Sequence, residues 1–254
     1  MTIAITRKIS PRFNECELTH IERTPIDIDI ARAQHSEYIR VLSDLGCKVT
    51  ELPEEPDLPD SVFIEDTAFI LPEVAVITRP GARSRLAEID SVTKNLAALH
   101  SIVKMEPPAT LDGGDVLVMN KNIFVGLSTR SNQDAIEQLE EVLDPFDYRV
   151  MGVEINGCLH LKSAVTRVDE KTLLINKNWV DNHPFLYFKW IEVDDSEPLA
   201  ANCLPVNGEI IYPAGFPKTQ ERLEREGYPI RTVAIDELAK AEGAVTCCSL
   251  IISD

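Results

Sequence analysis

Hydrophobic positions along the chain alternate between two periods. Apolar residues at helical spacing over residues 30–45, 85–100, 132–146, 179–188 and 219–226 predict five helices. Each is followed by a short apolar segment, CKVTELP, SIVKMEP, RVMGVEI, KWIEVDD and IRTVAID, whose alternation and β-branched content predict strands. A second strand comes next in every unit, as VFIEDTAFI, TLDGGDVLV, LHLKSAVTRV, AANCLPV and TCCSLII, with small, polar or charged residues mixed into its beginning. A third, VAVITRP, NIFVGLS, TLLINK and EIIYPA, closes the first four units, and the fifth runs out of chain.

The same order of elements therefore recurs five times. The counterparts Phe63, Leu111, His160, Asn202 and Cys247 lie about 40 to 50 residues apart, a period typical of repeat architectures. The N-terminal segment TIAITRK resembles the missing third strand, and its ITR echoes Ile77–Arg79. It is expected to complete the last unit and close a ring, which protects sheet edges. The expected fold is a single α/β domain over residues 1–254, a five-bladed α/β propeller with pseudo-fivefold symmetry. Each second strand would start near the central axis, so that Glu65, Asp66, Asp112, His160, Asn202 and Cys247 converge there.

Composition narrows what such an axis serves. With 254 residues, 44% of them hydrophobic, the chain can bury a full core. No apolar stretch approaches a membrane span, and MTIAITRKIS lacks the features of a secretory signal, so a cytoplasmic protein is expected. Six cysteines without C-x-x-C pairs read as free thiols there. A formal charge of −17 argues against nucleic acid; it serves solubility, and attraction of a cationic small molecule is left open. A homodimer is left open.

A thiol becomes a nucleophile when a neighbouring cation or base generates its thiolate. Cys247 would attack, His160 would act as general acid and base, and Asp112 would orient the imidazole. Strand alternation puts Cys247 and Cys248 on opposite faces: Cys248 shares its side with Leu250 and Ile252, and Cys247 shares the mouth side with Ser249. Glu65 and Asp66 form a carboxylate pair suited to a planar guanidinium. Arg85 and Arg130, each a few residues past a third strand, suit an amino-acid carboxylate at the rim. LDGGDV is not a nucleotide motif, and Gly113 and Gly114 are expected to permit close backbone approach beside Asp112. Cys247 and His160 give only two zinc ligands, enough for adventitious, inhibitory zinc but short of a structural site. His35 and His100 are expected on helices, and the polar stretch 14–23, with Leu18, forms a candidate lid.

In LPDSVFIEDTA, ITRPGARSR, ATLDGGDVL, VGLSTRSNQ, LHLKS, AANCLPVN and VTCCSLII, in that order over nearly the whole chain, the sequence resembles the dimethylarginine dimethylaminohydrolases of the guanidine-modifying superfamily. The resemblance implies a pentein propeller, with Cys247 as nucleophile, His160 as general acid and base, and Asp112 as orienting carboxylate. It also implies substrate contacts from Glu65 and Asp66 to the guanidinium, and from Asp60, Arg85, Arg130, Leu18 and the backbone of Ala241 to the amino-acid end. The implied reaction converts Nω,Nω-dimethylarginine or Nω-monomethylarginine to citrulline, with no organic cofactor or catalytic metal. An arginine deiminase-like hydrolase would share the triad. An amidinotransferase would pass the carbon unit to an amine, and a non-catalytic binder would show no turnover.

Overall fold

The structure, a computed structural model, describes residues 1–253. Its strands form three-stranded sheets of one repeated design, an antiparallel pair followed by a parallel pair. β1 (Ile3–Arg7) runs parallel beside β2 (Lys48–Leu52), with Ile3 opposite Lys48. In the next sheet β3 (Ala68–Ile70) is antiparallel to β4 (Ala75–Ile77), which is parallel to β5 (Ile102–Lys104). The pattern repeats in β6 (Val116–Met119), β7 (Asn122–Leu127) and β8 (Arg149–Glu154), then in β9 (Val165–Arg167), β10 (Thr172–Ile175) and β11 (Lys189–Glu192). It recurs in β12 (Leu204–Val206), β13 (Glu209–Pro213) and β14 (Ile230–Val233). Finally β15 (Leu250–Ile252) pairs antiparallel with β1, Ile252 opposite Ile3, and the ring closes through the N-terminal strand as the repeat predicts.

Parallel neighbours need a crossover, and this is where the helices go. They are α1 (Ile28–Asp44), α2 (Ile89–Leu96), α3 (Gln133–Leu143) and α5 (Pro217–Arg225), while the single turn α4 (Leu161–Ala164) and the short α6 (Asp236–Ala239) precede β9 and β15, the first strands of their sheets. A sheet thus takes its third strand from the following sequence unit. Asp27 caps α1 by accepting from the backbone N–H of Asp29 and Ile30, and Asn132 caps α3 at Ala135. Ala135, Ile136, Leu139 and Leu143 of α3 pack on β6 to β8, and Val92 and Leu96 of α2 pack against Ile5 and Ile77.

Two predicted helices change. Residues 85–100 begin as a 3-10 helix, Arg83–Glu88, before α2, and His100 lies past its end. The 179–188 stretch forms only a 3-10 turn, His183–Phe185, with Pro184 at its start. There Phe185 fills the crossover's place with its ring 4.7 Å from Phe124, while Tyr187 is 97% exposed, so the apolar residues never shared one face.

The polar beginnings of the second strands also differ from expectation. They are helical turns, Ile64–Thr67, Gly113–Asp115 and α4, or the non-strand turn at residues 245–248, and the strands start after them. Turns distribute successive side chains around an axis and leave backbone N–H groups free to bind carboxylates. The first strands of all five sheets line one cavity of about 840 Å³, which marks the propeller axis, and the turns crown one end of it. No helix among the described residues is long and apolar enough to cross a membrane.

Candidate active site

Cys247 stands in the turn at residues 245–248, its N–H bonded to the Ala244 carbonyl and its Sγ accepting from the Ala244 N–H at 3.3 Å. Asn202 holds this turn from the neighbouring sheet, donating to Thr246 Oγ1 at 3.0 Å and accepting from the Thr246 N–H at 3.1 Å. Cys247 is half-buried, whereas Cys248 is 1% exposed and packs into the core with Tyr38 and Phe63. Exposure therefore favours Cys247, but strand alternation is not the reason. Ser249 does not share the mouth: it is buried and hydrogen-bonded to the Tyr38 hydroxyl at 2.7 Å.

His160 precedes α4 and is buried among carboxylates. Nε2 lies 3.1 Å from Asp112 Oδ2, and Nδ1 lies 3.9 Å from Asp66 Oδ1. Burial disfavours its cation, but Asp66, Asp115 and Asp112 outweigh burial and raise the imidazole to about 9. Asp66 moves the opposite way: burial opposes its charge, yet His160 and Arg85 hold the carboxyl low. Its Oδ1 accepts from the Gly114 N–H at 3.0 Å and its Oδ2 from Arg85 at 2.6 Å.

The two glycines allow the expected close approach. A Cβ on Gly113 would lie 2.0 Å from the Glu65 carbonyl, and one on Gly114 would lie 2.6 Å from His160 Nδ1 and 2.9 Å from Asp66 Oδ1. Gly114→Ala is accordingly expected to displace the imidazole and cut kcat roughly 100-fold, a 1 Å misplacement having that order of effect. Steady-state kinetics of the folded variant would check it, and parental kcat would refute it.

Glu65 and Asp66 adjoin in sequence but are not a free carboxylate pair. Glu65 Oε1 accepts from Lys162 at 2.6 Å and Oε2 from the Thr246 hydroxyl at 2.7 Å, and Lys162 also reaches the Gly113 carbonyl. Glu65, Lys162 and Thr246 line the axial cavity and so form the floor between the cavity and Cys247. The Glu65 N–H donates to the Cys247 carbonyl at 3.1 Å. Burial, then the Glu65 and Asp66 charges, push the Cys247 thiol well up and favour its neutral form.

Arg85 does not stand at the rim. It is 3% exposed and donates to Glu88, to Asp66 and to the carbonyls of Asp60 and Phe63, so its charge serves buried carboxylates. Arg130 points toward the lid, donating to Thr19 Oγ1 at 3.3 Å with Nη1 3.6 Å from Asp112. Both Asp60 oxygens accept from the Glu17 N–H, and Glu242, which follows the buried Ala241, accepts from the N–H groups of Thr19 and His20 at 2.6 and 2.8 Å. Segment 17–20 is thereby held down at both ends. Leu18 and Cys247 pack against the same apolar cluster.

His35 is on α1, as expected, and buried, its ring stacked on Tyr38. Asp66, Asp112 and His160 bring ligand-type atoms within 4.8 Å of one another. Among the described residues Cys247 is not part of that group of three. Lys162, Thr246 and Glu242 went unassigned in the sequence, although LHLKS and VTCCSLII contain the first two.

The family model for N,N dimethylarginine dimethylhydrolase, eukaryotic, matches residues 13–183. A dimethylarginine dimethylaminohydrolase of Streptomyces coelicolor is 37% identical over 249 residues, covering 97% of this chain and 95% of the relative. The one from Pseudomonas aeruginosa is 34% identical over 226 residues, 87% and 89% of the two chains. A solved structure of that Pseudomonas aeruginosa protein, a cysteine-to-serine mutant complexed with citrulline, superposes with TM-score 0.93 at 31% identity over 98% of each chain. The N-terminal domain of the cyanobacterial arginine dihydrolase ArgZ shares the fold, at TM-score 0.86 and 18% identity. On this sequence and structural agreement, the chain belongs to the dimethylarginine dimethylaminohydrolase family.

Proposed function

We propose that the protein hydrolyses Nω,Nω-dimethyl-L-arginine to L-citrulline and dimethylamine, and the Nω-monomethyl compound to citrulline and methylamine, through a covalent intermediate on Cys247. The observation that carries this reading is a half-buried thiol in a turn whose Cys247 carbonyl accepts from the Glu65 N–H, next in sequence to Asp66, on which His160 and Asp112 converge. A guanidinium entering over Asp66 offsets the field that opposes the thiolate, and so activates its own nucleophile. The names of the 34–37% identical relatives support the methylated substrate.

In the proposed reaction the Cys247 thiol loses its proton to solvent as the substrate cation binds, and the thiolate attacks the guanidinium carbon. His160, with Nε2 on Asp112, gives a proton from Nδ1 to the departing dimethylamine, leaving an S-alkylthiouronium. His160 then takes a proton from water, whose oxygen adds to the same carbon and expels the thiol with citrulline. Asp66 aligns the cation, Arg130 with the lid at Leu18 and Thr19 meets the amino-acid carboxylate, and Asp60 and Ala241 border the ammonium end. Arg85 acts from behind Asp66, and Glu65 closes the floor.

Citrulline and dimethylamine release from dimethylarginine, compared with citrulline and ammonia release from arginine, tests the assignment. A kcat/KM advantage of roughly tenfold or more for the methylated substrate is expected, the size that apolar methyl contacts supply. Preference for arginine would replace the assignment with the deiminase reading.

A further inference from the structure

Asp115 has no part in the chemistry above, yet its carboxylate is fully buried beneath the site. Oδ1 accepts from the Leu161 N–H at 2.9 Å, the peptide that follows His160. Oδ2 accepts from the hydroxyls of Ser128 and Ser131, each at 2.6 Å. Ser131 Oγ in turn accepts from the Asp112 N–H at 3.1 Å, and Ser128 Oγ accepts from the N–H groups of Arg130 and Ser131 at 2.9 and 3.1 Å.

The hydrogen bonds of Asp115 reach the peptide after His160 directly, and the backbone N–H groups of Asp112 and Arg130 through Ser131 and Ser128. The fold clears space for it: a Cβ on Gly126 of β7 would lie 2.6 Å from Asp115 Oδ1 and 2.9 Å from Leu161 Cβ. Burying a carboxylate is costly without full compensation, and burial raises this one to about 6 despite its donors. An apolar side chain would satisfy packing alone, so the acid is retained for what it holds.

We propose that Asp115 is the positioning residue that locks His160, Asp112 and Arg130 into one unit, governing kcat through the first two and KM through the third. This rests on the function proposed above. The serine relays separate the two effects. Ser131→Ala unties Asp112 and is expected to lower kcat roughly 10–100-fold, as loss of an outer hydrogen-bond partner does, with KM little changed. Ser128→Ala unties Arg130 and is expected to raise KM for dimethylarginine about tenfold with kcat little changed.

Gly126→Ala, which presses on Asp115 itself, is expected to disturb both constants. A merely structural role predicts parallel loss of kcat and KM in all three variants. That result, or parental kinetics in both serine variants, overturns the proposal. A readout independent of turnover separates its failure from that of the proposed function. In Asp115→Asn, the His160 titration followed by NMR is expected to fall by about one unit, since a buried neighbouring anion is lost. An unchanged His160 titration overturns the proposal even if the parent protein turns over another guanidine substrate.

Discussion

Cys247→Ser is expected to lower kcat on dimethylarginine by on the order of 10⁴–10⁶-fold while substrate affinity stays within about threefold of the parent, because an acting unit is lost but no binding contact. The hydroxyl that replaces the thiol lies in the same turn, held by Asn202 through Thr246. It meets the same burial and the same Glu65 and Asp66 charges that already push the thiol up, and an alcohol is far harder to ionise. Cys248→Ser supplies the contrast. That side chain sits in the core against Ala244, so the change should lower the melting temperature through a buried hydroxyl, with turnover preserved. Steady-state kinetics and isothermal titration on both variants check the pair. Turnover within tenfold of the parent in Cys247→Ser would remove the thiol from the mechanism.

His160→Asn should cost about 10²–10⁴-fold in kcat, the usual contribution of a positioned acid or base. The loss should shrink for a substrate whose leaving group needs no proton, such as an S-methylisothiourea, for which the covalent adduct should accumulate and be visible by mass spectrometry. The sign of the pH dependence follows from the same residue. Its folded-state pKa is raised to about 9, so the acid form persists through neutrality and kcat/KM falls as pH rises through about 9. His160→Asn should lack that descending limb, and a limb of equal position in the variant would assign it to another group.

The ring itself was legible in the sequence because alternating apolar periods are a local consequence of burying one face. The echo of ITR at both β1 and β4 revealed the closing strand for the same reason. Convergence of His160, Asp112 and Asp66 followed from the repeat. The way each carboxylate is used did not. Glu65 reads as half of an acidic pair until Lys162, 97 positions away, and Thr246, 181 away, occupy its oxygens. Arg85 was more accessible to reading, since Glu88 sits one helical turn beyond it, the spacing at which opposite charges pair. The helical turns at the strand entries were hidden because the contacts that hold them join different sheets.

The seam between β15 and β1 gives activity a different robustness from the rest of the molecule. Forming a β3–β4 hairpin closes a loop of a few residues, whereas pairing Ile3 with Ile252 closes one that spans nearly all the described chain and costs correspondingly more entropy. Cys247 lies three positions ahead of that last strand, while His160, Asp112 and Asp66 belong to sheets made from contiguous sequence. Folding can therefore assemble the His160, Asp112 and Asp66 side of the site before Cys247 is delivered, and fraying at the seam withdraws the thiol while four sheets remain paired. Proteolysis or hydrogen exchange confined to residues 3–5 and 250–252 would then track loss of turnover ahead of global unfolding.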